Sequence, residues 1–405
     1  MKVLMFGWEF PPFNTGGLGT ACYGLTNGLS RNNVDITFVL PYVTDDTKSG
    51  HVNLIAANSI SKVRLRGINT KLAGYMTPGQ YKRSVLSENL SKRHREIYGE
   101  NLFSEVCRYA LKAGSIAKEE LHDVIHCHDW MTYAAGKIAK SVSGKPLVLH
   151  VHATEFDRTG GNVNQAVYDL EREGMHAADA IIAVSNYTRK KVIEHYGVSP
   201  EKVFVVHNAV DNDSVIESYG SHSIRSSHKV VLFLGRVTLQ KGPDYFLLAA
   251  KRVLDYEPDA RFVVAGSGDM AADMVEKAAE LGIGDKVLFT GFLTGKDIER
   301  AYQMADVYIM PSVSEPFGLT ALEAMKNKTP IIISNQSGVS EVIGNCLKTD
   351  FWDTERMAGL IIGVIRYREA QESLSENGYN EVKKFSWDNP ARKCIEIYNK
   401  VMGGR

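Results

Sequence analysis

Two cationic residues stand where a predicted strand ends in the second half of the chain. In LGRVTLQKG, residues 234 to 242, Arg236 leaves the strand and Lys241 comes just before the next predicted helix. A guanidinium and an ammonium group that converge on a helix N-terminus form a site suited to a diphosphate. Most arginines and lysines are ordinary surface charges. Their position at the carboxyl end of a strand nevertheless favours the diphosphate site.

A second stretch, SEPFGLTALEAM at residues 314 to 325, follows the apolar run VYIMPS. Pro316 and Gly318 interrupt the chain, and the sequence then predicts a helix from Leu319 onward. The first N–H groups of a helix have no partner inside it. We therefore expect the N–H groups of Phe317, Gly318 and Leu319 to point towards a ligand, where they would favour negative charge or polar oxygens.

The same stretch carries two carboxylates, Glu315 and Glu323. Eight residues of helix span about 12 Å. A retaining glycosidase needs its two carboxyl groups roughly 5 Å apart, and an inverting one needs at most about 9.5 Å. The spacing argues against a hydrolytic pair. It favours two separate carboxylates that accept hydrogen bonds from the hydroxyl groups of a polyol.

Histidines cluster in HCHDW at residues 126 to 130 and in HVHATEF at residues 150 to 156. Because side chains alternate along a strand, His126 and His128 share one face, as do His150 and His152. Four imidazoles could bind zinc, but no carboxylate ladder or cysteine pair completes the set, and we expect no metal ion. The preferred interpretation is that His152 donates to a sugar hydroxyl and Asp129 accepts from one.

The glycine-rich stretch WEFPPFNTGGLGTA, residues 8 to 21, follows the first predicted strand. Gly17 and Gly19 fit the start of a G-x-G-x-x-G motif, but Cys22 stands at the position of the third glycine. No G-K-[ST] ending is present either. The loop therefore fits neither a dinucleotide nor a nucleoside triphosphate, although its glycines would still bring backbone N–H groups close to a phosphate.

Short β-branched runs alternate with amphipathic stretches along the chain, which is typical of β-α-β units and parallel sheets. Strands are predicted at 3–6, 36–40, 124–127, 147–151, 181–184 and 203–206, and at 230–234, 262–265, 287–290, 307–310 and 331–334. We predict two doubly wound domains, 1–210 and 229–387, joined by a serine-rich linker at 211–228. Ligands of such sheets bind beyond the carboxyl ends of the strands, so we expect a cleft between the domains.

The composition limits the classes of partner. At 405 residues, 44% hydrophobic and 23% charged, the chain fits a globular protein with more than one core. Lys plus Arg and Asp plus Glu number 47 each, so no overall charge favours nucleic acid or an anionic membrane. The five scattered cysteines are typical of reduced thiols, and with no signal peptide or apolar span evident we expect a cytoplasmic protein.

One segment departs from this charge balance. Between residues 62 and 95 there are nine Lys or Arg and a single acid, Glu88. The commonest meaning of such a run is a solvated face. An acceptor surface is an alternative, and contact with a membrane is a less favoured one.

These motifs together resemble the retaining glycosyltransferases of the GT-B fold, in the clan of glycogen and starch synthases and sucrose-phosphate synthases. The resemblance runs nearly end to end. Its motifs are GGLG at 16–19, HDW at 128–130, HVHATEF at 150–156, HNAVD at 207–211, GRVTLQKG at 235–242, GSGD at 266–269 and EPFGLTALEAM at 315–325. The last motif is highly specific, whereas GGLG alone is weak. The N-terminal GWEFPP with HVHATEF is similar to bacterial proteins assigned as glycogen synthases.

The resemblance implies a role for each matching residue of the second domain. Arg236 and Lys241 would bind the diphosphate of a nucleotide-sugar, and Glu323 would bind its ribose hydroxyls. Glu315, with the N–H groups of Phe317, Gly318 and Leu319, would bind the transferred hexose.

In the first domain, the resemblance implies that Gly17 and Gly19 approach the phosphate and sugar, and that His152 contacts the hexose near the reacting carbon. Asp129 and Asn208 would lie on the sugar and acceptor side. The C-terminal stretch, about 388–405, would cross back to pack on the first domain. The fold needs no metal cofactor, because cationic side chains neutralise the diphosphate.

The resemblance finally implies an activity. We expect a retaining transferase that moves a hexose, glucose above all, from UDP-glucose or ADP-glucose to an α-glucan. The same chemistry on a lipid-linked or small-molecule acceptor is one alternative. A non-catalytic binder of nucleotide-sugars is another, although the presence of Arg236, Lys241, Glu315 and Glu323 argues against it.

Overall fold

The computed structural model describes residues 1–11, 16–41, 50–57, 102–210 and 228–403. The chain divides into two compact units, residues 1–208 with 387–405 and residues 209–386. The basic segment 62–95 lies outside the described residues, as does all of the expected linker except His228. Within the described residues, no helix combines the length and apolarity that a membrane crossing requires.

The first unit contains a parallel sheet of seven strands in the order β3-β2-β1-β4-β5-β6-β7. The strands are β1 (Lys2–Phe6), β2 (Asp35–Leu40), β3 (Asn53–Ala56), β4 (Val124–His128), β5 (Leu147–Val151), β6 (Ala180–Ala183) and β7 (Val203–Val205). The helices described between them are α1 (Gly17–Arg31), α2 (Leu102–Glu119), α3 (Trp130–Ser143), α4 (Glu155–Thr159), α5 (Gln165–Ala177) and α6 (Asn186–Tyr196).

The second unit repeats this architecture with six parallel strands in the order β10-β9-β8-β11-β12-β13. The strands are β8 (Val230–Leu234), β9 (Arg261–Ala265), β10 (Val287–Gly291), β11 (Val307–Met310), β12 (Ile331–Ser334) and β13 (Leu347–Thr349). The helices are α7 (Pro243–Leu254), α8 (Ala271–Glu280), α9 (Lys296–Met304), α10 (Leu319–Lys326), α11 (Thr354–Arg366) and α12 (Arg368–Val382).

The central strands are buried on both faces, which explains their continuous apolar runs. Every residue of β4 and of β5 is buried, and so is every residue of β11 and β12. Strands buried on both faces belong to sheets with helices on each side. The predicted class, two doubly wound α/β domains, is confirmed.

The C-terminal helix α13 (Asp388–Gly403) packs on α1 of the first unit. Glycines of α1 allow this close contact. A Cβ atom built on Gly24 would lie 2.1 Å from the indole ring of Trp387, and one built on Gly28 would lie 2.5 Å from the Trp387 carbonyl oxygen. The indole and the carbonyl group of Trp387 therefore occupy the space that a side chain at positions 24 and 28 would need.

Candidate functional site

Each sheet has one point where the chain reverses its direction of winding. In the first sheet this point lies between β1 and β4, and in the second between β8 and β11. Ligands of open α/β sheets bind beyond the carboxyl ends of the strands at such a point. Apart from Asn208, which follows β7, the residues singled out from the sequence lie on or after β4 and β5 and after β1 in the first unit, and after β8 and β11 in the second.

In the second unit, the loops after β8 and β11 meet through charged side chains. The Lys241 ammonium group pairs with Glu315 Oε2, which also accepts a hydrogen bond of 3.2 Å from Ser312 Oγ. The Arg236 guanidinium donates to Gln240 Oε1 at 2.8 Å. Glu315 is buried and Lys241 is largely so. The structure thus brings Lys241 and Glu315 into contact and places Arg236 on the same short loop.

Gly242 explains why the two loops approach so closely. Its φ of +64° lies in the left-handed region, and an added Cβ atom would stand 2.2 Å from the carbonyl oxygen of Pro311. The backbone of the loop is also joined to the other one, because the N–H of Val313 donates to the carbonyl of Gln240 at 3.0 Å. Only glycine fits this position. Because Gly242 lets the loop approach Pro311, the preceding residue, Lys241, lies near the end of β11.

The segment before α10 is hydrogen-bonded to the loop that follows β12. The N–H of Glu315 donates to the carbonyl of Gln336 at 2.9 Å, and the N–H of Val339 donates to the carbonyl of Phe317 at 2.7 Å. Gly318, with a φ of +114°, then turns the chain into α10, whose N-terminus has no side-chain cap. The predicted break at Gly318 and the helix start at Leu319 are confirmed, and the positive end of the helix dipole faces the loop end of the sheet.

Glu323 lies on α10 and has a different environment from Glu315. Its Oε2 accepts a hydrogen bond of 3.1 Å from the hydroxyl of the buried Tyr302. Burial raises the pKa of Glu323, and the Tyr302 hydroxyl partly opposes this effect. The two carboxylates do not share a partner among their described contacts. The two separate roles inferred from the sequence stay a prediction.

In the first unit, Gly17 and Gly19 lie in the first turn of α1, the helix that follows β1 in the chain. Gly16 is the N-cap and provides no side-chain cap. The first-turn N–H groups are those that a helix itself leaves without acceptors. Gly17 is exposed and Gly19 is buried. The glycine-rich loop therefore ends as a helix N-terminus, the arrangement on which the sequence prediction rests.

Asp129 follows β4 as the N-cap residue of α3, in an unusual backbone conformation with φ of 61° and ψ of 168°. Its Oδ1 accepts hydrogen bonds from the N–H groups of His152, at 2.6 Å, and Ala153, at 3.3 Å. The N–H of Asp129 in turn donates to the carbonyl of His150 at 3.0 Å. This carboxylate oxygen therefore positions the segment that carries His152. Contact of Asp129 with a sugar hydroxyl stays a prediction.

The four histidines form one buried stack. Ring centroids lie 4.4 Å apart for His126 and His128 and 4.3 Å apart for His150 and His152, and His128 is paired in register with His150. The prediction that each pair shares a face is confirmed. Burial holds the pKa of His152 down at about 3. Burial, and then the neighbouring imidazoles, also lower the pKa values of the other three.

The stack is only partly hydrogen-bonded. His128 Nδ1 lies 3.0 Å from His152 Nε2, and His126 Nδ1 lies 2.6 Å from the hydroxyl of Tyr398. Nε2 of His126, Nε2 of His128 and both ring nitrogens of His150 have no hydrogen-bond partner among the described residues. Buried imidazole nitrogens normally have one. The structure also places Cys22 of α1 beside His128 and His152, which nothing in the sequence spacing indicated.

A buried ion network, missed from the sequence, supports the same segment. Arg158 pairs with Glu155 and Glu171, and donates to the carbonyl of Ala153 at 3.2 Å. Glu171 also accepts from the N–H of Glu155, at 3.0 Å, and from the hydroxyl of Tyr196. Through its contacts with Ala153 and Glu155, this network holds the segment that directly follows His152 in place.

Burial disfavours the charged forms of both Glu171 and Arg158, but the pKa values of the two groups respond differently. Burial raises the pKa of Glu171 to about 7, although Arg158 and the Tyr196 hydroxyl oppose this. For Arg158, burial lowers the pKa, but the carboxylates of Glu171 and Glu155 outweigh burial and raise it.

Asn208 lies elsewhere in the unit. It is buried beyond β7, whose strand lies two positions from β5 in the sheet.

The comparisons with known proteins agree with this arrangement. Residues 15–214 match the model of the Glycosyltransferase Family 4, and residues 216–381 match that of the Glycosyl transferases group 1. An uncharacterized glycosyltransferase of Methanocaldococcus jannaschii is 29% identical over 99% of both chains. The alpha-maltose-1-phosphate synthase of Mycolicibacterium smegmatis is 30% identical, over 70% of this chain and 80% of its own length. The glycogen synthase of Mycobacterium tuberculosis is 25% identical, over 98% and 94% respectively.

Solved structures show the same fold. The sucrose-phosphate synthase of Thermosynechococcus elongatus superposes with a TM-score of 0.78 at 18% identity, over 100% of both chains. Anabaena HepE in complex with UDP-glucose has a TM-score of 0.70 at 17% identity, over 99% of this chain and 100% of its own. The chain belongs to the GT-B glycosyltransferases of the glycosyl transferases group 1 family.

Proposed function

We propose that this glycosyltransferase moves glucose, with retention of configuration, from UDP-glucose or ADP-glucose to an α-glucan. The observation that carries the proposal is the grouping of Arg236, Lys241, Glu315 and the N-terminus of α10 at the ends of β8 and β11. Two cations, one buried carboxylate and a helix N-terminus suit a ligand that combines a diphosphate with a hexose.

The donor proposal has support from a structural neighbour, HepE, whose structure contains UDP-glucose. In the proposed complex, the Arg236 guanidinium and the Lys241 ammonium bind the diphosphate oxygens. Glu315 accepts from hexose hydroxyls and Glu323 accepts from those of the ribose. For His152 we retain the role implied by the resemblance, contact with the transferred hexose.

The chemistry follows from the charge that develops. The bond between sugar C1 and the diphosphate oxygen breaks, which leaves an oxocarbenium-like sugar and a diphosphate anion. The acceptor hydroxyl oxygen attacks C1 from the face that the diphosphate leaves, and its proton passes to the departing phosphate oxygen. Cationic groups fixed near that oxygen stabilise the anion as it forms. The proposed reaction therefore uses no metal cofactor.

The ion pair of Lys241 with Glu315 fits this scheme. In the structure, the Lys241 ammonium group neutralises the buried Glu315 carboxylate. We propose that a bound donor supplies a new partner for each of the two side chains. Phosphate oxygens would accept hydrogen bonds from Lys241, and hexose hydroxyls would donate to Glu315. Neither charge would then be left buried and uncompensated, which would cost several kcal/mol.

The acceptor proposal depends on relatives. The glycogen synthase relative covers nearly the whole chain, and its name denotes an α-glucan product. A second candidate is a phosphorylated small-molecule acceptor, because the relative with 30% identity is an alpha-maltose-1-phosphate synthase. Both candidates use the same donor chemistry and differ only in the molecule that receives the glucose.

A matrix of donors and acceptors tests the proposal. Purified protein is incubated with UDP-glucose, ADP-glucose, UDP-galactose or GDP-mannose, each with glycogen, maltose, glucose 1-phosphate or a lipid-linked sugar. Release of nucleoside diphosphate and the anomeric configuration of the product are measured. We expect release with a glucose donor and glycogen, and an α-linked product.

Transfer only to glucose 1-phosphate would support the second candidate instead. A β-linked product would contradict retention. If no donor is consumed with any acceptor, although UDP-glucose binds, the chain is a non-catalytic binder and the proposal is wrong.

A further inference from the structure

Three metal-ligating side chains meet in the first unit. Cys22 of α1, His128 of β4 and His152 beyond β5 each offer one ligand atom, and these atoms all lie within 4.8 Å of one another. All three residues are buried. They come from separate elements, so their convergence depends on the tertiary fold and not on sequence spacing.

The separation of the two imidazole ligands is close to what a tetrahedral ion requires. With Zn–N bonds of about 2.0 Å and Zn–S bonds of about 2.3 Å, ligand atoms around one zinc ion lie roughly 3.3 to 3.6 Å apart. His128 Nδ1 and His152 Nε2 lie 3.0 Å apart. At this distance one ring nitrogen donates a hydrogen bond to the other, and zinc bound to both would require them to separate by about 0.3 Å.

A second set of three ligands, His126, His128 and His150, fits less well. The rings of His126 and His150 are stacked, and their planes differ by only 5°, whereas the planes of His128 and His152 are tilted by 34°. Ring nitrogens bind metals through lone pairs in the ring plane, so the lone pairs of two stacked, parallel rings do not converge on one ion. Three neutral imidazoles would also leave the charge of a buried dication uncompensated.

The set with Cys22 provides negative charge. A cysteine that binds a metal does so as the thiolate. Burial, and then the carboxylates of Asp129 and Glu9, raise the pKa of the Cys22 thiol, so a bound cation has to displace its proton. Thiolate and imidazole ligands favour zinc and other soft or borderline cations over magnesium or calcium. The chemistry of the three ligands therefore selects the class of ion.

We propose that Cys22, His128 and His152 form a binding site for a soft or borderline divalent cation such as Zn²⁺, and that the bound ion inhibits transfer. The inhibition rests on the proposed function, because it follows from the hexose contact assigned to His152. An imidazole nitrogen that ligates zinc no longer exchanges a hydrogen bond with a sugar hydroxyl. The cation is thus an inhibitor of the enzyme and not its cofactor.

Binding is tested without donor or acceptor. Metal-free protein competes with a chromophoric chelator for Zn²⁺, in wild type, Cys22→Ala, His128→Gln and Cys107→Ser. Cys107 is an exposed thiol and controls for adventitious binding. We expect one tight site per chain in wild type and in Cys107→Ser. We expect at least tenfold weaker binding in Cys22→Ala and in His128→Gln, with circular dichroism spectra unchanged.

Cobalt provides a second, spectroscopic readout that is independent of affinity. Co²⁺ bound to wild type should show thiolate-to-metal charge-transfer absorption, and Cys22→Ala should lack it. Equal zinc affinity in wild type and Cys22→Ala, or a cobalt complex without a thiolate band, would overturn the site.

An activity assay tests the proposed inhibition separately from metal binding. In the transfer assay, Zn²⁺ should inhibit wild type, a chelator should restore it, and Cys22→Ala should be at least tenfold less sensitive. Tight zinc binding with undiminished transfer would refute the inhibition while leaving the site. Because binding is measured on the protein alone, failure to find any transferase activity would disprove the proposed function and not the metal site.

Discussion

Lys241 and Glu315 form an ion pair across two loops that lie 74 residues apart in the sequence. Lys241 follows β8 and Glu315 follows β11, and these two strands are neighbours at the point where the second sheet reverses its winding. The side chains keep only 18% and 7% of their exposure. The pair therefore brings opposite charges together in a partly dry site, where each interacts more strongly with a ligand than it would in water.

The first prediction concerns the ammonium group. Lys241→Ala should lower kcat at least about 100-fold, because a positioned donor to the departing diphosphate is lost. Initial rates of nucleoside diphosphate release measure the effect. Lys251→Ala is the matched control, since Lys251 is nearly half exposed and pairs only one turn away with Asp255. A Lys241→Ala protein that keeps near-normal transfer would remove Lys241 from the proposed role.

The second prediction compares two glycines with left-handed backbone. Gly242 has a φ of +64° and Gly282 a φ of +68°, but an added Cβ atom meets the Pro311 oxygen only at Gly242 and has open space at Gly282. Gly282→Ala should cost about 1 kcal/mol of stability. Gly242→Ala should cost about 3 kcal/mol, because overpacking adds to the backbone strain.

Urea unfolding measures both stabilities, and the transfer assay adds a second comparison. Gly242→Ala should also lower kcat, because the loop that carries Lys241 is displaced, whereas Gly282→Ala should keep full activity. Equal stability losses in the two variants would show that the close approach to Pro311 is not the constraint described above.

Much of the fold was predictable because the central strands are apolar on both faces. In β5 and β11 the short runs LVLHV and VYIM stand out from their surroundings, and both strands begin and end where predicted. The strands missed, β3 and β13, lie at sheet edges. Asn53–Ala56 has no fully buried residue, and Leu347–Thr349 has only one. An edge strand with one open side need not be continuously apolar.

Some features of the candidate site were also predictable from the sequence, and others were not. Residues close in sequence, such as the helix start at Leu319 and the alternating histidines, follow from local periodicity and chain breaks. The contact of Cys22 with His128 and His152, and that of Arg158 with Glu171, join different elements through tertiary packing. No local pattern encodes these contacts. The roles of Arg236, Glu323 and Asn208 towards a ligand stay predictions.

The third prediction concerns Glu171, whose pKa burial raises to about 7. An acid with a raised pKa binds more protons in the folded state, so folding stability falls as the pH rises from the ordinary value of about 4.5 through 7. Glu171→Gln cannot ionise and should lack this loss. The stability of wild type minus that of Glu171→Gln should therefore decrease between pH 5 and pH 8, by on the order of 1 to 3 kcal/mol.

Unfolding free energies at both pH values measure this difference. Glu173→Gln is the control, because Glu173 is an exposed neighbour on the same helix, paired with Lys137. An unchanged difference across the pH range would mean that Glu171 is ionised throughout and that Arg158 outweighs its burial.

The fourth prediction concerns metal removal. If Arg236, Lys241 and the N-terminus of α10 neutralise the departing diphosphate, protein treated with EDTA should transfer glucose at no less than about half the rate of untreated protein. Rates are compared after dialysis against EDTA and again with added Mg²⁺. A loss of more than tenfold that Mg²⁺ restores would show that a metal ion supplies the charge instead.

The fifth prediction tests the docking of the C-terminal helix. A Cβ atom on Gly24 would lie 2.1 Å from the Trp387 indole, whereas one on Gly359 of α11 has open space. Replacing a helical glycine with alanine alone stabilises by up to about 1 kcal/mol, which is the result expected for Gly359→Ala. In Gly24→Ala the overpacking, roughly 1 to 3 kcal/mol, outweighs this gain. Hydrogen exchange should then accelerate in residues 388–403 of Gly24→Ala and stay unchanged there in Gly359→Ala. Equal protection of α13 in both variants would mean that Trp387 can move aside without releasing the helix, and that its contact with α1 does not hold the chain end in place.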